Sequence, residues 1–171
     1  MSDDARVKAL LAKIEIIELT SRVARAVDRC DVELFCSCFT NGGLFDAGAF
    51  NGTMPEVGRT MFAAIGDAMR RTQHHVSNHI ILVDGNQAKG EASVIGTAFY
   101  DVDGVEQELV FGGRYLDEYQ CEGGLWKVAV RRIVVDYART QKSTHTNAGA
   151  YDSTSYKGTR DRQDPSYRFV F

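Results

Sequence analysis

Residues 73–83 read Gln-His-His-Val-Ser-Asn-His-Ile-Ile-Leu-Val and hold three of the chain's four histidines, His74, His75 and His79. Imidazole gains and loses protons near neutral pH, so such a cluster can serve acid–base chemistry or ligate a metal. In an unbroken strand His75, Ser77, His79, Ile81 and Val83 share one face, and His74, Val76, Asn78, Ile80 and Leu82 the other. His75 and His79 are then about 13 Å apart at their Cα atoms, His74 and His75 point opposite ways, and no carboxylate clusters nearby. No metal site is expected. The remaining use of a histidine at a strand start is as one half of an acid–base pair.

The other half is Asp28. On a helix of 3.6 residues per turn it stands directly above Leu10 and within about 40° of Ile14, Ile17 and Ala24. A carboxylate on an apolar face is costly to bury without a partner. Taking the Nδ1 proton of an imidazole would supply that partner, fix the tautomer and leave the far nitrogen as a base. Such a base can remove a proton alpha to a carbonyl or beta to a leaving group. The reaction class is elimination, isomerisation or ring closure, and no cofactor is required.

These residues must be placed by a helix and a sheet. Residues 4–29 carry Val7, Leu10, Leu11, Ile14, Ile17 and Ala24 at helical spacing, which predicts that this stripe is buried. Asp31 precedes a short apolar run as an N-cap. Asn41-Gly-Gly43 breaks the chain, a short strand follows over 44–50, and Thr53-Met-Pro-Glu56 opens, as a capping box, a helix predicted to run to Arg71. From Thr72 the period becomes 2. Turns at Asp84-Gly-Asn86, Asp103-Gly104 and Glu122-Gly-Gly124 divide the remainder into four hairpin-linked strands over 74–83, 88–101, 106–119 and 125–139. The class is α+β, an antiparallel meander covered by helices on one face. Residues 1–140 form one domain. Residues 141–171 form a polar tail whose spaced aromatics, Tyr151, Tyr156, Tyr167, Phe169 and Phe171, suit docking on the domain's own cavity mouth or on a neighbouring subunit.

Composition limits the partners. A net charge of −3 and 25% charged residues give no electrostatic footprint for nucleic acid. No apolar run reaches the length of a membrane span and the acidic start is unlike a signal peptide, so a cytoplasmic location is the expectation. Cys30, Cys36, Cys38 and Cys121 lack metal-ligand spacing and read as reduced structural thiols.

The order of elements, with Ala-Val-Asp28-Arg-Cys-Asp31 closing the first helix, His-His-Val-Ser-Asn opening the sheet, and Gly-Gly-Arg114-Tyr-Leu-Asp-Glu-Tyr and Leu-Trp126-Lys-Val-Ala-Val-Arg-Arg in the last strands, resembles the SnoaL-like branch of the NTF2-like superfamily. That resemblance, which covers the chain to about Tyr137, implies a cone-shaped half-barrel, a curved, mixed but mostly antiparallel sheet with N-terminal helices covering one face. Its relatives include scytalone dehydratase, bile-acid 7α-dehydratases and hexachlorocyclohexane dehydrochlorinase, in which an aspartate ending the first helix orients a basic histidine. By motif position Asp28 is the aspartate and His74 or His75 the histidine; strand alternation favours His75. Those dehydratases carry a tyrosine five residues before the aspartate, where this chain has Val23, so loss of water would need another acid. The resemblance also implies a homo-oligomer, trimer or dimer, and a small hydrophobic ligand.

Alternation nominates Tyr100, Phe111 and Tyr115 as an aromatic cavity wall. Either Arg131 or Arg132 can face inward to polarise a carbonyl oxygen, and Arg131 is the choice here. The function these residues suggest is a cofactor-independent lyase or isomerase for a small apolar or aromatic, polyketide- or steroid-like compound. The alternatives are a non-catalytic hydrophobic-ligand module, or a structural partner like the β subunit of ring-hydroxylating dioxygenases, which would need no dyad.

Overall fold

A computed structural model describes residues 2–144 and 153–169; His145, Tyr151 and Phe171 lie outside the described residues. The first helix, α1 (Asp3–Asp28), starts where the Ser2 hydroxyl accepts the Ala5 N–H. Its buried side is Ala12, Ile16, Leu19, Val23 and Ala26, whereas Val7, Leu10, Leu11, Ile14 and Ile17 face solvent. The expected burial of that larger-residue stripe is therefore corrected. The helix is apolar on two opposite sides, and a periodicity argument cannot tell which side meets the sheet.

A sharp turn leads to α2 (Val32–Ser37), whose Leu34 N–H bonds to the Asp31 carboxylate, the cap the sequence predicts. Strands β1 (Phe39–Ala47) and β2 (Phe50–Thr53) form a hairpin before α3 (Glu56–Ile65). Two expectations fail at α3. No side chain caps its start, and it stops at Gly66 instead of continuing to Arg71, because the chain is already extended as β3 from Met69.

Four long strands follow: β3 (Met69–Asp84), β4 (Gln87–Val102), β5 (Val105–Glu122) and β6 (Leu125–Lys142). The single sheet has the order β2-β1-β6-β5-β4-β3, antiparallel throughout except that β1 runs parallel to β6. Extra residues interrupt the register at Ser77/Ile80, Gly112/Gly113 and Glu118/Tyr119, and such bulges bend and twist a sheet. The result is a curved, mixed, open sheet with the helices inside its curve. Ile16, Leu19 and Val23 of α1 pack with Phe35, Phe39, Phe45, Phe62 and Val128 to fill the narrow end of the cone. Among the described residues no helix is long and apolar enough to cross a membrane.

Candidate active site

The wide end of the cone keeps a cavity of about 200 Å³. Val23, Ala24 and Val27 of α1 and Met61 and Ile65 of α3 wall one side; Ala98, Leu109, Phe111 and Ile133 of the sheet wall the other. Phe111 is held there by a glycine. It lies opposite Gly96 on β4, and a Cβ at Gly96 would come within 2.2 Å of its ring. The polar side chains on this apolar wall are Thr72, His74, Tyr115 and Arg131.

Asp28 is buried at the end of α1 and touches His74 twice. Its Oδ1 lies 2.7 Å from His74 Nδ1, and its Oδ2 accepts the His74 backbone N–H at 3.0 Å. With Nδ1–H donating to the carboxylate, Nε2 carries the free lone pair. The ring also meets Phe111 edge-on, with centroids 6.0 Å apart.

The structure thus pairs Asp28 with His74 and not with His75, which is exposed on the other side of the strand. The cause is a bulge. Ser77 pairs with Ser93 and Ile80 with Glu91, so Asn78 and His79 together oppose Ala92, and Asn78 has φ of 50°. Alternation counted back from the buried Ile81 through this extra residue arrives one position late, on His75. Tyr100 is the other displaced candidate. Ala98 lines the cavity, but Tyr100, nearer the strand end, does not. Phe111, Tyr115 and Arg131 are brought together; Arg132 is exposed.

Behind this wall is a polar network absent from the sequence reading. Arg131 is 2% exposed and Asp117 3%, and they form a bidentate pair, Nε to Oδ1 at 2.9 Å and Nη2 to Oδ2 at 2.6 Å. The guanidinium also lies over the Tyr115 ring, 4.1 Å from its centroid. Burial alone would favour a neutral Arg131, but the charge and hydrogen bonds of Asp117 keep it firmly protonated. Burial, more than its charged neighbours, pushes the Tyr115 hydroxyl up to about 12, so it is a neutral donor at any physiological pH. Tyr119 donates to Asp117 Oδ2 at 2.8 Å and lies 3.1 Å from His79 Nε2. Asp117 and Arg131 sit opposite each other on β5 and β6. Counting outward from the Gly123-Gly124 turn misses the pair by one, because Ala129 is an extra residue on β6.

Burial lowers the His79 imidazole below its ordinary value, against the pull of Asp117. A depressed folded-state pKa means that the folded state favours the neutral ring, so the stability it contributes is full above the unfolded value of about 6.5 and is lost as pH falls below it. The melting temperature is expected to drop between pH 7.5 and 5.5, and to drop less in His79→Gln. Equal drops in the two proteins would show that His79 does not carry this dependence.

The described part of the tail packs on the rim of the cavity beside Asp28. Arg160 donates to the carbonyls of Gly66 at 3.1 Å, Val27 at 3.4 Å and Met69, and both Val27 and Met69 line the cavity. Arg29 bonds to Thr159 O at 3.0 Å, and the Tyr167 hydroxyl donates to Asp31 at 2.7 Å. Burial and the Asp31 hydrogen bond push the Tyr167 hydroxyl up to about 12.

Among the described residues no group of three His, Cys, Asp or Glu side chains gathers closely enough to hold a metal ion.

Comparison with known proteins agrees with this architecture. The sequence profile of the SnoaL-like domain matches residues 8–132. Among solved structures, a protein from Kribbella flavida superposes with a TM-score of 0.70 at 21% identity, over 77% of this chain and 95% of that one. A candidate scytalone dehydratase from Novosphingobium aromaticivorans gives 0.68 at 21% identity, over 81% and 91%. The type 3 hexachlorocyclohexane dehydrochlorinase of Novosphingobium barchaimii gives 0.73 at 18% identity, over 82% and 97%. These likenesses establish the fold. No curated protein matches the chain in sequence.

Proposed function

Because the chain belongs to the SnoaL-like family, with the fold of that family's cone, we propose that it is a cofactor-independent lyase or isomerase that begins its reaction by proton abstraction. The observation that carries this reading is the 2.7 Å contact of Asp28 with His74, whose ring lies on the wall of a largely apolar cavity. Asp28 holds the Nδ1 proton, so His74 Nε2 takes a proton from carbon. The positive charge that develops on the ring is stabilised by the buried carboxylate in contact with it. Arg131 polarises the carbonyl or electronegative group that receives the electrons. Tyr115, on the same cavity wall as His74, is the hydroxyl placed to supply the acid that the valine at position 23 cannot.

Cavity size narrows the substrate. A buried apolar cavity of about 150 Å³ holds benzene. The 200 Å³ here therefore suits a molecule of one or two rings more than a steroid. Fold neighbours described as a candidate scytalone dehydratase and a hexachlorocyclohexane dehydrochlorinase act, by those names, on compact ring compounds, which supports this scale. The test is a panel of one- and two-ring ketones bearing a β-hydroxyl or β-chloro group, followed by NMR in D₂O. Elimination or deuterium exchange at the acidic carbon, dependent on His74, is the expected result. Tight binding with neither elimination nor exchange across the panel would replace the lyase by a ligand-binding module.

A further inference from the structure

The exposed side of α1 has no role in the cavity. Val7 is 52% exposed, Leu10 59%, Ile14 61% and Ile17 47%, with Leu11 at 54% beside them. Their spacing of three, four and three residues is that of one seam of a helix pair, and it lies opposite the side that packs on the sheet. Five adjacent large aliphatic residues on one surface exceed the scatter of single exposed apolar side chains on an ordinary monomer.

We propose that this seam packs against the same seam of a second copy of the chain, with the two α1 helices running in opposite directions about a two-fold axis near Leu11. Such a contact is self-complementary: Val7 meets Ile17 of the second copy and Leu10 meets Ile14, which centres the axis level with position 12 and sets the two Leu11 side chains beside each other across it. Two observations set the direction. Past Ser21 the same side of α1 is closed by the start of β3, where Ala24, Asp28 and His74 to Ser77 share a groove, so a parallel partner would meet a second β3 there. An antiparallel partner ends before that point. Charge agrees, because the first turn of α1 is acidic, Asp3 and Asp4, and in this register it lies one turn from the exposed Arg22 of the second copy. Opposed helix dipoles favour the same arrangement. The stripe has no excess of basic residues at its borders, where Arg6 and Lys8 pair with Asp3 and Asp4, so an anionic membrane surface fits it less well.

Light scattering of the full chain should show an even number of copies, and Leu10→Glu/Ile14→Glu should halve the assembly mass by weakening the contact about 100-fold or more. Both positions are exposed, so the variant should keep the wild-type circular dichroism and melting temperature measured at high dilution. Under mild oxidation Leu11→Cys should form a disulfide-linked pair above the wild-type background. Ile17→Cys should do so only when mixed with Val7→Cys. A monomer or trimer in the wild type, an unchanged mass in the double variant, or self-linkage of Ile17→Cys without that of Leu11→Cys would each overturn the proposal. So would a monomer that sediments with phosphatidylcholine vesicles.

Discussion

His74→Ala is expected to lower turnover of any substrate found for this chain by about 10³-fold, within the range for loss of a general base. His75→Ala should leave it within about threefold, because His75 is exposed on the far side of the strand. Asp28→Asn is the sharper companion. Asp28 accepts two hydrogen bonds from one residue, the ring Nδ1–H and the backbone N–H of His74. An asparagine has one oxygen to offer. If that oxygen keeps the backbone N–H, its NH₂ faces Nδ1, which must then accept; Nε2 takes the proton and the base is blocked. The equivalent swap costs about 10⁴-fold in serine proteases. Rates measured beside melting temperatures will separate this from unfolding. Activity of Asp28→Asn near wild type would mean that the pair only closes the rim of the cone.

Asp117→Ala should have the largest effect on stability. It leaves Arg131, 2% exposed, without the carboxylate that takes its Nε and Nη2 protons. Removing one partner of a buried ion pair costs about 3–5 kcal/mol. For a domain of this size that is a fall of roughly 10 °C or more in melting temperature. The double replacement Asp117→Leu/Arg131→Met removes both charges and should recover most of the loss. It should remain inactive if Arg131 polarises the substrate. A fall of only a degree or two in Asp117→Ala would show that water or a neighbour compensates the guanidinium. The two experiments are complementary: the His74 series tests chemistry on a stable fold, and the Asp117 series tests the wall on which that chemistry rests.

Much of this arrangement was legible beforehand because it depends on local signals. The Asp31 cap, the turns at Gly85, Gly104 and Gly123-Gly124, and the period-2 strands between them follow from residue types a few positions apart. Asp28 is buried as its place on an apolar helix side suggested, but for another reason: Leu10, Ile14 and Ile17 on that side are exposed, and it is the start of β3, through His74, that covers the carboxylate. What was hidden depends on extra residues in the ladders. The bulge at Asn78 exchanged His74 for His75, and the one at Ala129 concealed the opposition of Asp117 and Arg131. The two apolar sides of α1 were indistinguishable for a different reason: spacing reports that a side is apolar, and tertiary contact decides whether the sheet or something else covers it. The tail's attachment through Arg160 to backbone carbonyls left no pattern, since its partners are carbonyls that every residue carries.

The bulge at Asn78 works like a frameshift within a single strand. On its carboxyl side the strand is read in the frame of the core, with Ile81 turned inward. On its amino side it is read in the frame of the cavity, with His74 turned inward. When this chain is aligned with a relative that lacks the extra residue, a gap must open between Ser77 and Ile80. Closing the strand without that gap keeps every core position matched and moves the cavity histidine one place along the chain, onto a neighbour that is also histidine. Residue identity would give no sign of the error.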